Sequence, residues 1–431
     1  MTSSIDKTGV RTPCWLLMPI LGALAGCASE TVYREIDVSR AEIASFTADK
    51  PAALGRDYER LMRQGQRNEV LNQMEIGLCA LDMGQHEAAE ESFEDALLGI
   101  ETVYAGNEAA VKAREQWYEV GSVDFKGHPY ERAMAYFYRG LLYLAEGDYQ
   151  NARACFKSGV IQDAFVEEEQ HRCDFALLIF LEGWSSQCDG DYQMADEAYA
   201  EVKKWRPHFT PPPRDHNTLL IAETGRSPRK VSDGVGHFQL KFFRGRNFDE
   251  TAARFRLGGR MLCAEPMEDM YYQAATRGGR PIDHMLEDRV VYRRQAEAAG
   301  TALTDVSTGL MIAAPVFDSG SGVAAGVAGG LGVLGVAHLA AAQNARPQAD
   351  FRYWTNLPDT VHVATCRSEA RAGTPFSIQF FDSSGYELRE LARTRSLCSG
   401  DGRFALGWAR SRSAHEELQA ALNNPMITRG R

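Results

Sequence analysis

Along residues 69–205 apolar side chains recur every three or four positions in paired blocks, the period of helices that bury one stripe. Three stretches align: "GLCALDMGQHEAAEESFEDA" (77–96), "GLLYLAEGDYQNARACFKSG" (140–159) and "GWSSQCDGDYQMADEAYAEV" (183–202). Each opens on a glycine (Gly77, Gly140, Gly183). A second glycine follows (Gly84, Gly147, Gly190), then an alanine (Ala89, Ala152, Ala195), then an aromatic (Phe93, Phe156, Tyr199). The spacing predicts helix–turn–helix units. The second glycine ends one helix, and Asp148 and Asp191 cap the next. The units start at unequal intervals, and the first gap holds a predicted helix near 106–118.

After "RPHFTPPPRDH" (206–216) the pattern shortens to alternation. Strands are predicted at 217–225, 237–245, 252–259, 270–279, 359–366, 376–391 and 403–409, with Asp382–Gly385 as a hairpin turn. A strand and short helix are expected at 283–299, and a last helix at 413–423. The fold class is α+β and multidomain: helical hairpin repeats, then a mostly antiparallel α+β domain. The expected divisions are a leader (1–26), a polar lead (27–66), repeats (67–205), a Pro-rich linker (206–216) and the α+β domain (217–424). That last part contains the Gly-rich stretch 320–342, expected to be a buried or mobile helical segment, with membrane contact as the alternative.

The chain's start carries a different signal. Lys7 and Arg11 precede an apolar run, Trp15–Ala25, too short to span a bilayer and suited to a signal-peptide core. It ends Leu24-Ala25-Gly26-Cys27, which resembles a bacterial lipobox. The resemblance implies cleavage before Cys27, lipidation of its thiol (palmitate included) and a membrane anchor without a spanning helix. Ala28 after the cysteine, rather than Asp, implies the outer membrane, facing the periplasm.

The repeats resemble the tetratricopeptide (TPR) repeat in their Gly, Gly, Ala, aromatic and final Pro207. They depart from it at the tryptophan position, which holds Gln73, Tyr136 and Ile179. In that frame the inner surface of the stack carries Leu71, Met74, Leu78 and Leu81; Met134, Phe137, Leu141 and Leu144; and Leu177, Phe180, Trp184 and Gln187. Met74, Leu78, Met134, Phe137, Leu141, Phe180 and Trp184 are therefore the candidate groove. An apolar stripe of this size needs a cover. Residues 28–66, the 100–130 insert or the Gly-rich segment would supply it from the chain itself; a partner's amphipathic helix is the other option.

"FKGHPYERAMAYFYRGLLYLAEGDYQNARACF" (125–156) and "ADFRYWTNLPDTVHVA" (349–364) are similar to a family of uncharacterised bacterial lipoproteins with a TPR region, a Gly-rich stretch and a small β-domain. The resemblance implies an envelope location and no established activity. "RYWTNLP" reads as an aromatic plug with a proline turn, or as a binding edge.

Composition narrows the rest. A net charge of −11 over 431 residues argues against a nonspecific nucleic-acid binder. Seven cysteines follow Cys27; scattered ones read as small buried apolar residues, and Cys366–Cys398 is the first pair to test as a disulfide. No metal spacing and no nucleophile–base motif stands out, so no metal, cofactor or enzymatic activity is expected. The one anion-site candidate is Arg277 with Arg280, near Asp283 and His284; a structural turn is the plainer reading. The expected function is a lipid-anchored, non-catalytic adaptor for envelope proteins. The alternative is a structural subunit that uses the Gly-rich segment for self-association or lipid contact.

Overall fold

The computed structural model describes residues 35–101, 124–164, 175–233, 239–275, 352–369 and 371–424. Cys27, the 106–118 helix, the 283–299 elements, Arg277, Arg280 and the Gly-rich stretch lie outside these residues.

Among the described residues the lead forms α1 (Arg40–Phe46) and α2 (Gly55–Gln64). Three antiparallel hairpins follow: α3 (Glu69–Asp82) with α4 (His86–Glu101), α5 (Pro129–Glu146) with α6 (Tyr149–Ala164), and α7 (Ala176–Asp189) with α8 (Tyr192–Trp205). The turns form as the sequence requires. Gly84, Gly147 and Gly190 have φ of 74°, 83° and 89°, where a side chain would be strained. Asp148 accepts from the amide of Asn151 and Asp191 from that of Met194, each at 3.1 Å, capping α6 and α8.

The repeated glycine and aromatic meet inside each hairpin. A Cβ on Gly77 would lie 3.1 Å from the Phe93 ring and one on Gly183 2.8 Å from Tyr199, while one on Gly140 would collide with Phe156. The ring thus fills the space its own glycine vacates. Phe93 also stacks on Tyr138 of the next hairpin, with centroids 5.6 Å apart. The 206–216 stretch is more than a tether: Phe209 packs on Phe180 and Tyr199 and closes the end of the third hairpin.

The strands are β1 (Thr218–Thr224), β2 (Arg229–Asp233), β3 (Gln239–Phe243), β4 (Ala252–Leu257), β5 (Arg260–Cys263), β6 (Glu265–Asp269), β7 (Thr360–Cys366), β8 (Pro375–Phe381), β9 (Arg393–Ser396) and β10 (Ala405–Arg410), with helices α9 (Met270–Ala275) and α10 (Ala414–Leu422). One sheet has the order β10-β1-β7-β6, another β5-β4-β8-β9, and β2-β3 is a separate ribbon. We call the four-stranded pair the inner and the outer sheet. Pairing is antiparallel except between β1 and β10, which run parallel.

Three layers result: helices, inner sheet, outer sheet. β1 is buried on both faces. Leu219 and Ile221 join Val361, Val363 and Leu406 in one core with the helices; Leu220 and Ala222 face Phe255, Phe376, Ile378 and Phe380 of the outer sheet. A strand alternates sides, so a run of apolar residues is what a middle layer needs. The linker therefore separates two patterns in the sequence, while one core joins the helices to the inner sheet.

One expectation is corrected and one candidate disulfide is excluded. Residues 270–275 form α9, not a strand: Asp269 Oδ1 accepts from the amide of Tyr272, starting a helical turn directly after β6. Cys366 and Cys398 are free. Cys366 ends β7, while Cys398 bridges Leu406 of β10, so β1 and β10 lie between them. That is about 14 Å at ordinary strand spacing, beyond disulfide reach.

The graded glycine contacts lead to a stability series. Gly140→Ala is expected to cost about 2–3 kcal/mol and Gly77→Ala about 1 kcal/mol or less, because the added methyl group meets Phe156 far more closely than Phe93. Urea unfolding of the two variants measures the difference.

Candidate functional site

The first helix of each hairpin lines the inner surface, and the inner sheet sits on it. Met74, Leu78, Met134, Phe137, Leu141, Phe180 and Trp184 are each 2 % exposed or less. The candidate groove is thus a filled interface and not a free surface. The chain itself is the cover: among the described residues, the lead joins this core through Leu54, Tyr58 and Leu61 on α2 and the turn before it, and the 100–130 insert joins it through Phe125. Among the described residues the largest share of the cover comes from the inner sheet, α10 and "RYWTNLP" (352–358), the last of these in the plug role read from its aromatics and proline.

The plug is held as a peptide would be. Trp354 is fully buried against Phe93 and Tyr138, with centroids at 6.4 and 5.8 Å. Its amide donates to Glu131 Oε1 at 2.7 Å, and its indole N–H to Asn356 Oδ1 at 2.7 Å. Thr355 Oγ1 donates to Glu75 Oε1 at 2.9 Å. Asn356 Nδ2 donates to the carbonyls of Glu75 and Ala414, each at 3.3 Å. Arg352 Nη1 donates to the carbonyl of Arg67 and to Asn68 Oδ1, both at 2.9 Å.

Charge buried at this seam is matched. Glu75 faces Arg60 at 3.2 Å. Glu223 on β1 accepts from Tyr138 at 3.1 Å and Trp408 at 2.9 Å, and lies 3.4 Å from Arg410 Nε. Burial pushes the Glu223 carboxyl up from its ordinary value, against the pull of Arg410. Arg410 continues to the carbonyl of Asn356 at 2.6 Å. Glu268 on β6 accepts from Arg206, from Gln273 and from the amide of Leu177 at the start of α7. Each carboxylate found in the interior has donors, the condition for leaving it there.

Burial raises the thiols of Cys79 and Cys188 well above their ordinary value, which keeps them protonated and poor nucleophiles. Among the described residues, no group of His, Cys, Asp and Glu is placed to hold a metal ion, and no helix is long and apolar enough to cross a membrane. Two hollows, of about 350 and 280 Å³, open on the outer sheet, away from the buried seam.

Sequence reasoning did not find Glu75, Glu131, Glu223, Glu268 or Arg410 as a connected set. They come from α3, α5, β1, β6 and β10, and no spacing links them.

Models of the tetratricopeptide repeat match residues 73–98 and 130–160. These are the first two hairpins; the third, α7 with α8, has the same helix–turn–helix form. No curated protein and no solved structure matches the chain.

Trp184→Asp is expected to unfold the protein, since an unpaired carboxylate would replace a ring that is 2 % exposed and packs toward Phe404. Loss of the cooperative melt by circular dichroism checks this; a folded variant would show that the stripe is not interior.

A second prediction concerns pH. His362 on β7 is buried with Nε2 2.9 Å from Thr224 Oγ1, and burial lowers it to about 4. Below pH 6.5 the unfolded chain takes up this proton and the folded one does not, so His362 destabilises the fold as pH falls toward 4, by about 3 kcal/mol. Burial raises nearby Asp359 to about 6, so its protonation favours the fold over the same range. His362→Gln removes the opposing part. Relative to the parent, the variant is expected to gain stability from pH 6.5 to pH 4, as read by urea unfolding of both.

Proposed function

We propose that this chain is a lipid-anchored, non-catalytic scaffold that brings proteins together in the bacterial cell envelope. The TPR repeats carry the interaction role, because stacked helical hairpins build extended surfaces for protein partners. The sequence Leu24-Ala25-Gly26-Cys27 carries the anchoring role: the thiol of Cys27 takes the acyl chains, and the outer membrane, facing the periplasm, is the place.

The single observation that shapes the reading is the buried inner stripe. In this protein the concave face is occupied by Trp354 and the inner sheet. Partners are therefore met on the outer surfaces: the second helices of the hairpins and the exposed face of the outer sheet. The plug and sheet pack the repeats into one shared core, which suits a spacer that presents two faces. Two acyl chains supply enough buried methylene groups for stable membrane attachment, so no spanning helix is required.

Intact-mass analysis of the native protein from membranes tests the anchor. The expected mass is that of a chain beginning at Cys27 with diacylglycerol and an amide-linked acyl group. Cys27→Ser is expected to retain Met1 and to lose palmitate labelling. A native chain with an unmodified Cys27 would overturn this reading.

A further inference from the structure

Charge is unevenly placed between the first hairpin and the outer sheet. The first hairpin, residues 69–101, contains nine Asp and Glu and no Lys or Arg. The four strands of the outer sheet, "AARFRL", "RMLC", "PFSIQFF" and "RTRS", contain five Arg and no Asp or Glu. This is a basic surface in a chain whose net charge is −11.

Register decides which of those arginines are presented. Arg393 and Arg395 stand opposite Ile378 and Phe376 and so turn inward, Arg395 reaching Asp82 at 2.9 Å. Arg254 and Arg256 alternate with buried Ala253, Phe255 and Leu257 and face out. They are flanked by Met261 on β5 and by Ser377 and Gln379 on β8. Arg254 lies over the Phe381 ring at 4.5 Å, and Arg256 Nε donates to Met261 Sδ at 3.3 Å. Among the described residues neither guanidinium pairs with a carboxylate. Glu387, at the rim of this face, is held by Gln379 at 2.7 Å.

The opposite layer carries the complement. On α4, Glu87, Glu91, Glu94, Asp95 and Leu98 are exposed along one side, away from the buried Ala89, Phe93 and Ala96. Lys50 reaches Glu91, and Arg139 is shared by Glu90 and Glu94, so negative charge remains in excess. Crowding by Glu91, Glu69 and Glu94 adds to burial in raising the Asp95 carboxyl.

Among the described residues no contact joins Arg254 or Arg256 to the exposed carboxylates of α4, although Arg395 at the sheet edge reaches the same hairpin. A second copy can make that contact. We infer that the exposed face of the outer sheet docks α4 of another copy of this chain, head to tail. The sizes agree: α4 is about 24 Å long and the sheet face about 20 Å across. The contact covers roughly 400 Å² on each partner, half of a standard interface, so the association is weak and salt-sensitive. Because the two patches differ, the contact is heterologous and adds copies in a row unless its rotation closes a ring. This inference is independent of the anchor at Cys27.

Sedimentation velocity of the full chain in detergent, at about 20 mM and about 500 mM salt, tests it. The parent is expected to exceed monomer mass at low salt and to be monomeric at high salt. Arg254→Glu with Arg256→Glu should weaken association about tenfold or more, as should Glu87→Lys with Glu91→Lys. All four substitutions are at exposed positions, and unchanged thermal melts would verify the fold. Mixing the two double variants restores opposite charges and should restore association. A parent that stays monomeric at low salt, double variants that still associate, or a mixture that stays monomeric would each overturn the inference.

Discussion

A carboxylate can stay in a protein interior only if donors satisfy its oxygens, and the seam between the repeats and the inner sheet is built on that condition. Glu75 and Glu131 leave the helices toward the plug, while Glu223 and Glu268 leave the sheet toward the helices. Each is met by a donor from the other side. These bonds set the register of two layers whose apolar contacts, being non-directional, would tolerate sliding. Trp354 adds bulk at the centre of the same seam, and its amide and indole nitrogen are both bonded. The repeats and the β-strands consequently behave as parts of one core.

This arrangement changes what the repeats can do. An open TPR stack offers its concave face to a peptide. Here the chain has placed its own segment there, with main-chain and side-chain contacts of the kind a bound peptide makes. Under the proposed function, recognition falls on the outside of the three layers. There the first hairpin is acidic, and the exposed sheet face presents arginines between hydroxyl and amide groups. A scaffold with unlike ends has a direction, and direction is what an assembly in a row requires.

Much of the helical half was legible in the sequence. The repeated Gly, Gly, Ala and aromatic encode local events: a left-handed turn, a close crossing and a ring set into the space of a missing side chain. Such events depend on residues within about twenty positions, so their spacing is visible. The strands were less legible. β5, β6 and β9 are short or mixed in pattern, and α9 reads as a strand because Met270, Tyr271 and Tyr272 favour either state until Asp269 caps a turn. The parallel pair β1–β10 joins residues nearly two hundred positions apart, which no local signal announces.

The sequence by itself determined the hairpin repeats, the apolar inner stripe, the charge of each segment and the lipobox-like tetrapeptide ending at Cys27. Only the tertiary structure decided what covers the stripe, because a hydrophobic surface specifies that it will be buried and not by what. It also decided which arginines of the outer sheet are presented. Alternation assigns residues to two faces, and the choice of the inward face comes from packing against the inner sheet.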